Sequence, residues 1–183
     1  QPLTPWALAV PSERKRPSAW EASLRRFEGG EGLEEVALEQ ASGKPLQPST
    51  VVGHLLTALT HGRGLDLSKL AQQGSLLGCG SPTRGEWYQL LTADAAVDVV
   101  HKDKVVHADL LASFVPAAKK PVGERTGNDR AVLGAWYPKV SWFIALRRVG
   151  FDPSVTALHQ IERSHGSGVY EEQRHVEAVY MQY

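Results

Sequence analysis

The chain has a single cysteine, Cys79, in 183 residues. An internal disulfide and a cysteine-based zinc site are therefore both excluded, and a reducing compartment fits. Neither charge is in excess: Lys+Arg is 20, Asp+Glu is 20 and the formal net charge is zero. Phosphate affinity usually rests on clustered Lys and Arg, so this balance argues against a protein that holds nucleic acid by bulk electrostatics. Nor is the charge segregated along the chain. Only short basic patches exist, at Arg14-Lys15-Arg16, Arg25-Arg26, Lys119-Lys120 and Arg147-Arg148. No apolar run approaches the roughly 18 residues a membrane helix needs, so no membrane partner is expected. The first residue is Gln1 and not Met. That reads as a processed chain or a fragment, from which any transit or signal peptide has already gone. An intracellular site is expected, either an organelle matrix (mitochondrion or plastid) or the nucleus.

What is present is enough apolar material, 42%, for a packed core in one domain or two small ones. Residues 1–17 carry Pro2, Pro5, Pro11 and Pro17 around a Glu-Arg-Lys-Arg run and read as an extended arm, with Trp6 as an anchor. Ser18-Ala19-Trp20-Glu21 is a capping box, and Trp20, Leu24 and Phe27 then share one helical face up to Gly29-Gly30.

A second helix is expected over Leu33–Gln40, with Glu34 and Glu35 favouring its N-terminal end. The stretch Ala41–Pro48 reads as a turn. Ser49 is the expected cap of a third helix through Thr60, with Val51, Val52, Leu55, Leu56 and Leu59 at three-four spacing and Gly62 and Gly64 as the stop. A short helix begins at Leu65–Ser68. Gly74–Thr83 reads as a glycine-rich loop. A helix carrying Trp87, Leu90 and Leu91 follows, and another over Val105–Val115.

Ala117–Asp129 reads as a linker. From Arg130 aromatics concentrate: Trp136, Tyr137, Trp142 and Phe143, then Tyr170, Tyr180 and Tyr183. Val140–Val149 is expected as a buried helix, Ser164–Gly168 as a loop and Glu171–Tyr183 as a helix. The expected architecture is thus mostly α: a Pro-rich arm at 1–17, a helix-turn-helix-like domain at 18–116, a linker at 117–129 and an aromatic-rich helical lobe or docking tail at 130–183.

The order helix, turn, capped helix, glycine stop resembles the helix-turn-helix module found near the C-terminus of many RecQ- and Werner-type DNA helicases. The matching residues are Gly32, Leu33, Glu34, Glu35, Val36 and Ala37, then Ser49, Thr50, Val51, His54 and Leu55, then Gly62, Leu65, Asp66 and Leu67. The likeness covers roughly residues 18–115 and is dense over 32–67. It implies an accessory module without the helicase motor, binding DNA or RNA. The turn departs from that pattern: it is longer than the three or four residues of a compact connection.

On this reading the helix from Ser49 to Thr60 is the recognition helix. Ser49 and Thr50 approach phosphate through hydroxyls and backbone N–H groups. Arg25, Arg26, Lys44 and Arg63 supply charge. His54 either touches phosphate or base, or packs inside and holds a neighbouring loop, and the second role is preferred.

Catalytic patterns are weak. Gly80-Ser81-Pro82-Thr83-Arg84-Gly85 has Glu86 and Trp87 where a phosphate loop has Lys and Ser/Thr. The histidines show no pairing at a spacing of four and no third ligand beside them. Ser167 lies outside any Gly-x-Ser-x-Gly frame. A non-catalytic protein is therefore expected, with no metal, no cofactor and no small-molecule substrate. A different class of function also suits a neutral chain with a proline-rich arm and an aromatic tail. It is a structural subunit of a large assembly, such as an organellar ribosome or another ribonucleoprotein.

Overall fold

The computed structural model describes residues 17–40 and 43–151, and they form helices joined by turns, with no strand among them. The mostly α expectation is met. In chain order the helices are α1 (Ala19–Glu28), α2 (Leu33–Leu38), α3 (Pro48–Thr60), α4 (Leu67–Leu76), α5 (Arg84–Val97), α6 (His107–Leu111), α7 (Pro116–Lys119) and α8 (Gly127–Arg148), with a 3-10 turn at Val122–Glu124.

Helix α3 is the hub. Val51, Val52, Leu55, Leu56, Ala58 and Leu59 are all buried, so apolar side chains cover one broad face, a little under half its circumference. It packs against α1, α2, α4 and α8. Trp20 at the start of α1 stacks on His61 beyond the end of α3, 5.1 Å between ring centroids, and Ser23 meets His54 one turn further on. Helix α1 therefore runs antiparallel to α3.

Local sequence explains the helix ends. The Glu21 carboxylate accepts from the Ser18 N–H and hydroxyl at 2.6 and 2.7 Å, which closes the expected box at the head of α1. Glu35 does the same for the Gly32 N–H at 2.7 Å. Asp66 caps α4 by accepting from the Lys69 N–H at 2.9 Å. The left-handed Gly62 (φ 73°) ends α3: its N–H reaches the Leu59 carbonyl while the Arg63 N–H reaches Ala58. These paired bonds satisfy carbonyls the last turn leaves open.

Several expected boundaries shift. Helix α3 begins at Pro48, with Gln47 as its cap residue, so Ser49 lies inside the first turn. Proline has no N–H to satisfy there and its φ is already helical. Helix α2 stops at Leu38, where Glu39 leaves helical geometry. The long connection does not splay the pair. The Leu46 N–H donates to the Ala37 carbonyl at 2.8 Å, so the chain returns to the end of α2 before α3 starts.

Gly74, expected in a loop, lies in α4. The turn after that helix folds back so tightly that a Cβ on Gly74 would sit 3.0 Å from the Cys79 carbonyl oxygen. The single helix expected over 105–115 is broken. Val115 precedes Pro116, whose ring pushes it to extended geometry (φ −113°, ψ 99°), and α7 starts anew.

The expected linker at 117–129 instead holds α7, the 3-10 turn and the first turn of α8, with Ala117 and Ala118 buried. The expected division between a domain at 18–116 and a lobe from 130 is also absent from the described residues. Leu133, Val140, Trp142, Phe143, Ala145 and Leu146 of α8 join the same core as α3 and α5. Aromatic density at 136–143 marked a long helix: Trp142 and Phe143 are buried in the common core, while Trp136 packs against Phe114 at 5.1 Å and Tyr137 lies 5.8 Å from His107. Trp87 packs edge-on against Phe143 at 4.8 Å, and the Trp142 indole N–H donates to the Cys79 carbonyl at 3.2 Å. Most of the Pro-rich arm, the 164–168 loop and the 171–183 helix lie outside the described residues.

Candidate nucleic-acid interface

The residues expected to bind nucleic acid fall into three groups. Ser49 and Thr50 are exposed in the first turn of α3, where Pro48 has no N–H and the Thr50 N–H donates to the Gln47 carbonyl at 2.9 Å, so their hydroxyls are the groups on offer. Arg25 on α1 and Arg63 after α3 are exposed and both act on Glu21. The Glu21 carboxyl is held below its usual range, first by its bonds to Ser18 and then by those two arginines. Because α3 spans 13 residues, Ser49 and Arg63 lie at its opposite ends, on the order of 20 Å apart. Lys44 is exposed in the α2–α3 connection.

Arg26 and His54 are placed differently. The Arg26 guanidinium grips Glu31 with two N–H groups and also donates to the carbonyls of Glu35, Val36 and Glu39. Those carbonyls lie in the last turn of α2 and just beyond it, so Arg26 ties down the end of α2 from α1 and spends its donors there. Sequence spacing carries no sign of this, because the partner carbonyls come from a separate helix.

His54 is half-buried, with Nδ1 2.9 Å from the Ser23 hydroxyl, and burial lowers its pKa. Its Nδ1 is thus spent between α1 and α3 and its ring carries no charge toward phosphate. Glu86 lies at the second turn of the glycine-containing segment and is paired with Lys139 of α8 and with Thr83, so that segment starts a helix and cradles nothing anionic.

Helix α8 brings features the sequence did not announce. Its last arginines staple the α5–α6 connection: Arg147 meets buried Asp94 at 3.3 Å, and Arg148 donates to the carbonyls of Val99 (3.0 Å) and Lys102 (2.6 Å). Along its other side α8 forms an open groove with α3, of about 440 Å³. Thr50, Gly53, Thr57 and Thr60 line it from α3. His54 and His107 border it, and Ser141, Ile144, Ala145 and Arg148 form the α8 wall. The only signals for this groove in sequence were the small and hydroxylated positions at three-four spacing on an otherwise aliphatic α3.

The presence of α8 against α3 limits how the helix can approach DNA. A helix with its side chains is about 10–12 Å across and a major groove about 12 Å wide, so the two helices together cannot enter side-on. Only the N-terminal turn of α3 protrudes for an end-on approach. Among the described residues no group of three or more His, Cys, Asp or Glu could hold a metal ion, and no helix is long and apolar enough to cross a membrane. No protein-family model, curated protein or solved structure matches the chain.

Proposed function

We propose that this chain is a non-catalytic nucleic-acid-binding module built on a helix-turn-helix pair, contacting the phosphate backbone end-on through the first turn of α3. The observation that carries this reading is the exposure of Ser49 and Thr50 at the head of a 13-residue helix that packs against α1, α2, α4 and α8. The exposed hydroxyls of Ser49 and Thr50 and the positive end of the helix dipole favour a phosphate there. Arg25 and Arg63 add charge along the flank, and Lys44 adds it in the connection. Arg26 and His54 serve the fold. The resemblance to the helicase-associated module supports the same reading.

The test is fluorescence-anisotropy binding of the chain to single-stranded DNA, duplex DNA and RNA at two salt concentrations. Salt-sensitive binding is expected, with the slope of log affinity against log salt falling by about one for each phosphate contact removed in an Arg25→Ala/Arg63→Ala variant. A folded chain that binds none of the three overturns the reading.

A second reading, a structural subunit of a protein or ribonucleoprotein assembly, is favoured by the internal use of charge. Arg26, Lys120, Lys139 and Arg147 all engage acidic partners within the fold, so these four charges serve the fold first. A folded chain with no affinity for free nucleic acid would move the assignment to that class.

A further inference from the structure

The groove between α3 and α8 exceeds what an end-on phosphate contact needs. Its floor follows the stripe Thr50, Gly53 and Thr57, and Gly53 leaves open space where a side chain would stand. No Asp or Glu lines it, and Arg148 places a positive charge at its rim. We propose that this groove holds one unpaired nucleobase of a bound single strand, and selects a base carrying an exocyclic amino group. This inference rests on the nucleic-acid reading above.

Size, chemistry and position point the same way. About 440 Å³ lies within the roughly 300–1,000 Å³ typical of sites for small organic groups. Unstacked bases are recognised by hydrogen bonds to their edges and by flat rings, imidazole included. His54 and His107 border the groove from α3 and α6; Ser23 engages His54 Nδ1 and Ser141 lies 3.4 Å from His107 Nε2, so each ring has its other nitrogen to offer a base edge.

The hydroxyls set the selectivity. Thr57 Oγ1 donates to the Gly53 carbonyl at 2.8 Å and Ser141 Oγ donates to the Tyr137 carbonyl at 3.1 Å. With its proton committed, the Thr57 oxygen is left as an acceptor, and the Ser141 oxygen, which also lies 3.4 Å from His107 Nε2, has a second lone pair to offer. Acceptors suit the amino groups of cytosine and adenine and not the corresponding carbonyl of thymine. Thr50 belongs both to the groove and to the exposed first turn of α3, so a strand whose phosphate meets that turn can place the adjoining base inside. The flank of α8 that excludes a duplex forms the wall against which a single base packs.

The experiment measures anisotropy with the full chain against oligo(dC), oligo(dT) and an abasic strand of equal length. Oligo(dC) is expected to bind roughly tenfold more tightly than the abasic strand, the scale of one well-held base, with oligo(dT) between them. A Thr57→Trp variant, altered at an exposed position, fills the groove and is expected to erase those differences. Should that variant misfold by circular dichroism, the imidazole nitrogen resonances of His54 and His107 in the unmodified chain decide. They are expected to shift with oligo(dC) and to stay in place with the abasic strand. Equal affinity for all three strands overturns the groove assignment and leaves phosphate binding intact. Absence of binding to any strand overturns both.

Discussion

The Ser23 hydroxyl and the His54 Nδ1 lie 2.9 Å apart, joining the middle of α1 to the middle of α3. Ser23 is buried, so its oxygen has few other partners. Replacing Ser23 with Ala leaves a half-buried imidazole nitrogen without that partner, and a loss of about 1–2 kcal/mol is expected in urea unfolding. The same variant is expected to keep its salt slope for nucleic acid. A changed slope at unchanged stability would put His54 at the phosphates after all.

Arg25 and Arg26 are neighbours in sequence with opposite duties. Arg26→Ala removes the clamp on the α2 carbonyls and is expected to cost about 1–3 kcal/mol, which Arg26→Lys does not restore because an ammonium cannot fork across Glu31 and the carbonyls together. Arg25→Ala is expected to shift stability by no more than about 0.5 kcal/mol. Chemical denaturation of the three variants tests this, and equal losses at 25 and 26 would remove the distinction.

Two helical glycines separate in the same way. Nothing lies within 4 Å of a Cβ built on Gly53, so Gly53→Ala is expected to raise stability by up to about 1 kcal/mol through helix propensity. A Cβ on Gly74 meets the Cys79 carbonyl oxygen at 3.0 Å and its carbon at 3.4 Å. Gly74→Ala therefore forces backbone movement and is expected to destabilise by roughly 1–3 kcal/mol. Thermal melts of both variants should move in opposite directions.

Stability is expected to fall on acidification in two stages. Burial lowers the pKa of His54 and His107 below the ordinary 6.5, so the unfolded chain takes up their protons first. Their contribution is complete above about 6.5 and declines below it. Asp129 is held at about 2, against an ordinary 3.8, by Lys120 first and then by the Thr126 hydroxyl and N–H. Its contribution is complete above 3.8 and disappears as the pH falls through about 2. Urea midpoints across this range should show both stages. A His54→Gln/His107→Gln variant should flatten the upper one and Asp129→Asn the lower; a level profile in the unmodified chain would refute the account.

The sequence by itself determined the helices and many of their ends. The Ser18–Glu21 box, the Asp66 cap, the aliphatic spacing of α3 and the glycine after it are local features, and they act over one or two turns. Helix α6 was over-extended at both ends: the apolar pattern ran over Val105–Val115, but the helix holds only from His107 to Leu111 and the chain turns before Pro116. The length of α8 was missed, since a helix was expected only over Val140–Val149; Gly127, Gly134 and Pro138 lie along it, yet Trp142, Phe143 and Leu146 bury enough surface to hold it.

Only the tertiary structure decided which charges are available. Arg26 and Arg25 are indistinguishable by composition, and what separates them is the position of α2. It also decided that the helix expected to enter a DNA groove is a core helix with α8 along its flank. Packing partners come from distant parts of the chain, and long-range burial has no signature in local spacing.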